Sequence, residues 1–599
     1  MISTDAARVR RIRRSLMLAA FMTSVAGAAM AATPVGADDK AARIEQLESQ
    51  FRDMQAELNQ LRASGGVSSA TVADMQARMD AFNAALTDLK AQNDTNTADI
   101  QTLKAPLPVA VTLPNGKPAL ASSDGRFTAN VRATIMFDAG RYFQSTPGPI
   151  STDFRRSGGA GTGGFGASGA NTNARKLNSG TNFRRARIGV DGKVFGDFDY
   201  EAIYEFGGSG AEDAGHIYAL DGTWHPNFLK PFKIRLGAFE PNIGLSASLS
   251  TSSMILMERP SPAEISRNVA AGDSRSALQV FGNGDIGGGD EGISAYWFGS
   301  AAVTGNAIGT VNSASSIGSQ PFGEQYAMIG RFAIAPFSGS NWLAHLGFHG
   351  QYVFKPNDGG GPNNAGNIVD GRYTATLQDR PELRLDGTRL VSTGAIDARN
   401  VWEFGVEGAF MVQNFFVEGE YFQYGINRNV NPCFTTPTVA VATCPATLIN
   451  PANVPLDNPH FSGWYVEGSW ILTGESRVYD RGAAAFNGPT VAYPFNPSAG
   501  TWGAWELAAR FSSMDLNYEP GSAGLAPLPN SIRGGKQDII TVGLNWYLNQ
   551  TIRFMFDYQH VHVSRLNPDS SSSGSFSAPV GAQVGQTYDT IAVRSQLAF

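Results

Sequence analysis

Beyond residue 31 the sequence holds no run of about 18 apolar residues, which excludes a helix that crosses a bilayer. Charge is scarce too: Asp, Glu, Lys and Arg make up 16% of the chain, against about 25% in an average soluble protein. The net charge is only −6, so nothing in the balance calls for nucleic acid or a highly charged partner. Only two cysteines occur, Cys433 and Cys444, both in the Pro/Thr-rich stretch NPCFTTPTVAVATCPA. A local disulfide closing a surface loop is expected there, and no His lies close enough to suggest a metal pair. Catalytic patterns are missing. GTGGFG at 161–166 matches G-x-G-x-x-G but has no strand before it and no helix after it. HLGFH at 345–349 lacks the Glu of a zinc-protease helix, and His560 with His562 would supply only two ligands. The expectation is a protein that is not an enzyme and carries no cofactor or metal.

What the chain does have is glycine, 68 of 599 residues, and aromatics, 10%. It also has an export signal. Arg8, Arg10, Arg11, Arg13 and Arg14 precede an apolar stretch from Leu16 to Met30, and Ala29-Met30-Ala31 is a small-x-small cleavage site, so residues 1–31 read as a signal peptide.

Residues 38–104 follow a heptad. Ile44, Leu47, Phe51, Met54, Leu58 and Leu61 are spaced 3,4,3,4,3, and Val72, Met75, Met79, Phe82, Leu86 and Leu89 repeat the spacing in phase. The pattern predicts an α-helical coiled coil, and a seam this narrow implies self-association. Gly65-Gly66 is expected to interrupt the helix without loss of register. The prolines of APLPVAVTLPNGKPAL then end the helix and make a linker over 105–124.

From residue 125 to 599 the period changes to two. Sixteen candidate strands can be marked, from 126–140 to 586–599, several with clean alternation. In DIITVGLNWYL, Ile540, Val542, Leu544, Trp546 and Leu548 share one face; in YDTIAVRSQLAF, Ile591, Val593, Leu597 and Phe599 do. Short connections (195–198, 413–415, 548–551) alternate with long polar ones (141–181, 304–323, 356–399, 426–459, 515–535, 564–585). Short on one side and long on the other predicts an all-β transmembrane barrel of about 16 antiparallel strands in the outer membrane, its lipid the barrel's solvent, with turns in the periplasm and loops outside. An open edge in lipid would leave backbone groups unpaired, so the last strand should close on the first, with Phe599 at the periplasmic rim. One connection fits badly: 474–500 should be a turn, yet it is long and rich in proline.

By the same alternation Arg185, Arg187, Arg235, Arg331, Arg510, Arg553 and Arg594 face the lumen, as do the acids Glu403, Glu407, Glu418, Glu420 and Glu467 on strands ten to twelve. A wet, charged interior means a channel. The long segment 240–275 contains the apolar run Met254 to Met257, which an outside loop would waste on water. Folded back, it would narrow the pore and bring Arg259 and Arg267 to the constriction; an external lid is the competing reading.

Five ordered stretches, FRRARIGVDGKVFGDFDYEAIYEF, IRLGAFEPNIGLSASLSTSSMILMER, LTGESRVY, WGAWELAARFSSMDL and TVGLNWYLNQTIRFMFDYQ, resemble the phosphate-selective porin O/P family. The resemblance implies a homotrimeric porin passing phosphate or other small anions, an inward third extracellular loop at 240–275, and Arg185, Arg187, Arg235 and Arg259 on the ion path. A coiled coil would then sit in the periplasm, where it could touch the cell wall. One departure stands out: no lysine lies between Lys233 and Lys355, so the loop offers none. Two other classes stay open, a structural anchor or spacer acting through its coiled coil and a pore for small organic solutes.

Overall fold

A computed structural model describes residues 37–63, 69–104, 109–113, 117–145, 176–207, 215–272, 274–286, 294–308, 325–339, 341–356, 361–362, 368–369, 373–428, 457–528, 530–567 and 581–599. The signal peptide, Gly65-Gly66 and the Cys433/Cys444 pair lie outside these residues. The chain divides into two compact units at Pro108/Val109.

The first unit is helical. Helices α1 (Ala37–Ala63) and α2 (Ser69–Lys104) carry the two heptad runs. Phe51 stacks on Phe82 with ring centroids 5.9 Å apart, and Glu48 pairs with Lys90. Residue numbers that rise in one helix as they fall in the other make the pair antiparallel. Met79 and Leu86 are buried. Parts of the two runs, read from sequence as one seam for self-association, therefore meet within the chain at Phe51 and Phe82. A heptad fits an internal partner as well as an external one.

The second unit is a closed barrel of sixteen antiparallel strands, at the places the alternation marked. They are β1 (Thr128–Phe143), β2 (Gly180–Val194), β3 (Phe198–Glu205), β4 (His216–Trp224), β5 (Phe232–Phe239), β6 (Arg275–Asp285), β7 (Ser294–Ala307) and β8 (Tyr326–Ser338). The second half comprises β9 (Trp342–Lys355), β10 (Ile396–Val412), β11 (Phe415–Arg428), β12 (His460–Ile471), β13 (Ala504–Tyr518), β14 (Ile532–Tyr547), β15 (Ile552–Ser564) and β16 (Thr587–Ala598). Each strand pairs with the next, and β16 pairs with β1, Ala598 opposite Thr134 and Asp589 opposite Phe143. Phe599 extends the closure by two main-chain bonds to Ala133, each 3.0 Å.

The faces are inverted relative to a soluble sheet. On β14, Ile540 and Val542 are 48% and 47% exposed, while Thr541 and Asn545 are fully buried. On β15, Phe556 and Tyr558 face out and Arg553, Asp557 and Gln559 face in. Apolar side chains outside and polar ones inside suit a hydrocarbon solvent, and closure leaves no backbone edge unpaired in it. Among the described residues no helix is long and apolar enough to cross a membrane.

Three connecting segments bond to the inner faces of the strands. The first is 240–274, between β5 and β6. Its amides at Leu245 and Ser246 donate to Glu420 (2.6 and 3.0 Å), and that of Met257 donates to Asp557 (2.8 Å). Its carbonyls accept from Arg553 at Met254 (2.7 Å), Asn545 at Ile255 (2.8 Å), Arg510 at Glu258 (2.9 Å) and Tyr424 at Pro262 (2.7 Å). Inward Gly543 makes space for it, since a Cβ there would meet Leu256 at 2.6 Å.

The second segment is the misfit between β12 and β13. Rather than a plain turn it forms a hairpin, Arg477–Asp480 with Ala485–Pro489. Arg331 on β8 donates to the carbonyls of Ala483 (2.6 Å) and Ala484 (2.8 Å) at its tip. Phe486 packs against Phe416 and Tyr479.

The third, part of 356–399, corrects the expectation of a polar outside loop. Leu377, Leu383, Leu390 and Val391 are buried in one cluster with Ile265, Tyr424 and Met514. Glu382 accepts from Arg510 and from Ser512 (2.6 Å) on β13.

Candidate functional site

Strands β1 to β5 present charges inward that pair along the sheet. Arg187 on β2 donates to Glu205 on β3 (2.6 Å) and lies over the Tyr218 ring on β4. Arg235 on β5 donates to Asp221 on β4 (2.7 Å) and Glu201 on β3 (3.1 Å) and lies over Phe239. Arg132 on β1 reaches Asp191 on β2 at 3.2 Å. The pleat places these side chains on one face at successive ladder positions.

Arg132, Arg187, Arg235 and Glu201 line a cavity of about 510 Å³, into which Arg259 also projects from the 240–274 segment and Asp480 from the hairpin. Four guanidiniums (Arg132, Arg187, Arg235, Arg259) stand there against three carboxylates (Glu201, Glu240, Asp480). Two further cavities of about 390 Å³ each share Arg132 with it. One carries Asp191, Asp199, Glu201 and Asp221 with Lys193 and Arg235. The other, toward Phe599, has Lys117 and Arg553 and no Asp or Glu side chain. Arg132 stands where all three meet; the sequence reading passed over it, although it alternates with Asn130 and Thr134 on one face of β1.

The nine arginines expected to face the lumen or the constriction separate into two groups. Arg187, Arg235 and Arg259 line the 510 Å³ cavity. Arg259 is held there by the carbonyls of Ser246 (3.1 Å) and Leu249 (2.9 Å). Arg267 instead pairs with Glu240 and with Glu264 (3.0 Å). Arg331 pairs with Glu407 (2.8 Å) besides gripping the hairpin, and its side chain is fully buried. Arg510 bridges Glu382 and Glu467. Arg553, which borders the cavity near Phe599, bonds the carbonyl of Met254. Arg185 is buried beside Glu258, at 4.0 Å, with one N–H against the Met136 sulfur (3.3 Å).

Glu258 is the centre of a cluster of four arginines. Arg184 donates to it twice, at 2.7 and 3.0 Å, and Arg594 at 2.7 Å; Arg185 and Arg384 lie at 4.0 and 3.8 Å. Arg594 also grips Asp138 with two bonds of 2.7 Å, and Arg384 reaches Glu264 at 2.5 Å. Burial pushes the carboxyls of Glu258 and Glu264 up, but the surrounding arginines outweigh it and hold both well below the usual carboxylate range. Arg384 sits in the buried third segment and carries no periodicity that would have marked it.

The acids of β10 to β12 face this packed side. Glu420 holds the amides of 245 and 246 and accepts from Tyr465 (2.7 Å). His349 stands between Glu403 (3.2 Å) and Glu420 (3.6 Å). Gly244 takes φ +66° beside them, and a Cβ there would meet Glu420 at 2.6 Å, so both the turn and the approach need glycine.

A protein-family model described as "Phosphate-selective porin O and P" matches residues 162–584. The chain is similar to Porin O of Pseudomonas aeruginosa, 21% identical over 412 residues, covering 65% of this chain and 80% of the relative. It is also similar to an uncharacterized protein of Caulobacter vibrioides, 25% identical over 235 residues, 39% of this chain and 36% of that one. Among solved structures, an anion-selective porin from Comamonas acidovorans aligns with a TM-score of 0.39 at 12% identity, covering 79% of this chain and 100% of that one. A score that low carries no argument; the barrel is established by its own closed ladder.

Proposed function

We propose, from the premise that the chain belongs to the phosphate-selective porin O and P family and is a non-enzymatic porin of the outer membrane, that its barrel passes small anions, phosphate or its relatives, by passive diffusion. The observation that carries this reading is the convergence of Arg132, Arg187, Arg235 and Arg259 on one cavity from three strands and a connecting segment. Fixed guanidiniums in a confined aqueous space raise the local anion concentration and oppose cations. In this reading the 240–274 segment is the inward loop that narrows the path, and Arg187, Arg235 and Arg259 border what it leaves open. The bonds from its backbone to β11, β13, β14 and β15 support that.

Phosphate, where it passes, meets arginine rather than lysine, because the segment has no lysine. A guanidinium offers two parallel donors to a tetrahedral oxyanion, whereas an ammonium acts as a point charge. In the same reading the assembly is a homotrimer with the α1–α2 segment in the periplasm. The test is the reversal potential of purified protein in a planar bilayer under a KCl gradient, then titration with phosphate. Anion preference with block of chloride current by phosphate is expected; cation preference would overturn the reading.

A further inference from the structure

We infer that Glu258 is a specificity-determining residue: a tethered carboxylate that occupies an oxyanion site built by Arg184, Arg185, Arg384 and Arg594 and competes there with the permeant anion. The inference rests on the anion-channel reading above and concerns which anions are held.

Four guanidiniums converge on this one carboxylate, far more than a single Glu needs. Two have other partners, Arg594 in Asp138 and Arg384 in Glu264. Arg185 does not match them. It is 3% exposed, its Nε has no hydrogen-bond partner, and its nearest carboxylate oxygen is 4.0 Å away. A buried guanidinium N–H without an acceptor is costly, so the site has spare donor capacity for an oxygen that Glu258 does not supply. A carboxylate offers two oxygens in a plane. A phosphate offers four in a tetrahedron and could engage Arg185 while keeping the bonds that Arg184 makes now.

Position supports the same conclusion. Arg185 and Arg187 are alternate inward residues of β2, and Arg187 lines the 510 Å³ cavity. The cage thus adjoins that cavity one pleat nearer the long-loop end. The side chains of Arg184 and Arg384 are 11% and 13% exposed, so the cage is not sealed. An anion entering it must displace Glu258, and one that forms few hydrogen bonds, such as chloride, gains too little to do so. The resident carboxylate therefore raises the threshold for occupation and favours strongly hydrogen-bonding oxyanions.

The experiment is bilayer recording of wild type, Glu258→Gln and Arg185→Gln, each with a chloride current titrated with phosphate. Glu258→Gln removes the competing charge and keeps the shape. The phosphate concentration that halves the current should fall roughly tenfold, the order of one charge-assisted hydrogen bond, with the anion-to-cation ratio unchanged or higher. Arg185→Gln keeps Glu258 and should raise the half-blocking phosphate concentration several-fold; it serves as the test if Glu258→Gln does not fold. If Glu258→Gln leaves the phosphate titration unchanged, or raises cation and anion current alike, Glu258 is only an anchor and the inference is overturned. Wild-type cation selectivity would overturn the anion-channel reading together with it, whereas an anion-selective wild type with an unresponsive Glu258→Gln leaves that reading standing.

Discussion

The two sides of the barrel interior use the same residue type for opposite ends. Along β1 to β5, Arg132, Arg187 and Arg235 pair with acids on neighbouring strands yet keep a face on open volume. Along β8 to β16, Arg331, Arg510, Arg553 and Arg594 reach across to carbonyls and carboxylates of connecting segments. The difference lies in what each side chain meets. Acids one strand away leave a guanidinium at the wall, whereas a backbone carbonyl opposite draws it into a packed interior. An inward arginine therefore says nothing of ion passage until the segment facing it is known.

That comparison can be broken most strongly at Arg594. Its side chain is fully buried between Asp138 on β1 and Glu258. Arg594→Ala should strand the buried Asp138 carboxylate, while Glu258 keeps Arg184, and cost about 3–5 kcal/mol, read as a lower melting temperature in detergent. A loss under about 1 kcal/mol would mean that the cluster is solvated. Next is Arg331→Met, which frees the hairpin tip at Ala483 and Ala484 and, among the described residues, leaves Glu407 bonded to His345. It should cost about 3 kcal/mol and widen the path, so conductance rises for both ion signs.

Arg132→Gln sharpens the contrast. This side chain is 43% exposed with one ion pair, so stability should move by no more than about 0.5 kcal/mol. The anion-to-cation permeability ratio should nonetheless fall several-fold, since three cavities meet at that charge.

The smallest effects are those of pH. Glu258 and Glu264 are depressed in the folded protein, so what they add to stability is in place above the ordinary value of 4.5 and lost as pH drops below it. The 240–274 segment should stay docked from pH 8 to 5 and loosen under stronger acid, as followed by protease cleavage. Asp379 has the opposite sign. Burial pushes it up to about 6, so its contribution is fullest below 3.8 and fades as pH rises through about 6. Amide exchange in 377–392, corrected for its intrinsic pH dependence, should be faster at pH 8 than at pH 5, and Asp379→Asn should abolish the difference.

The barrel was legible because a two-residue period, repeated sixteen times, has one consistent meaning beside short and long connections. The buried third segment was not. Leu377, Leu383, Leu390 and Val391 are spread among Arg380, Asp386 and Arg389 with no period, and only a cluster from distant strands gathers them. The hairpin at 477–489 announced itself as an anomaly in length. The roles of individual arginines were illegible for a related reason. Alternation assigns a side, but partners such as Arg594 and Glu258 are hundreds of residues apart, and nothing local records their meeting. The heptad stated that a seam exists and could not say whether its partner was the same chain.

Much of the docking of the 240–274 segment goes through main-chain atoms. Amides at 245, 246 and 257 meet acids, and carbonyls at 254, 255, 258 and 262 meet basic or neutral donors on the strands. Every amino acid except proline supplies the same amide, and every one supplies the same carbonyl. Those bonds are therefore indifferent to the side chains at their own positions, and the side-chain ties are concentrated at a few residues, Glu258 and Glu264 above all. Substitution at an exposed position such as Ser250 can change what faces the cavity while the mooring persists, so the fold separates the part that must be kept from the part that can drift. A library confined to such exposed positions would search solute preference without first searching for foldability.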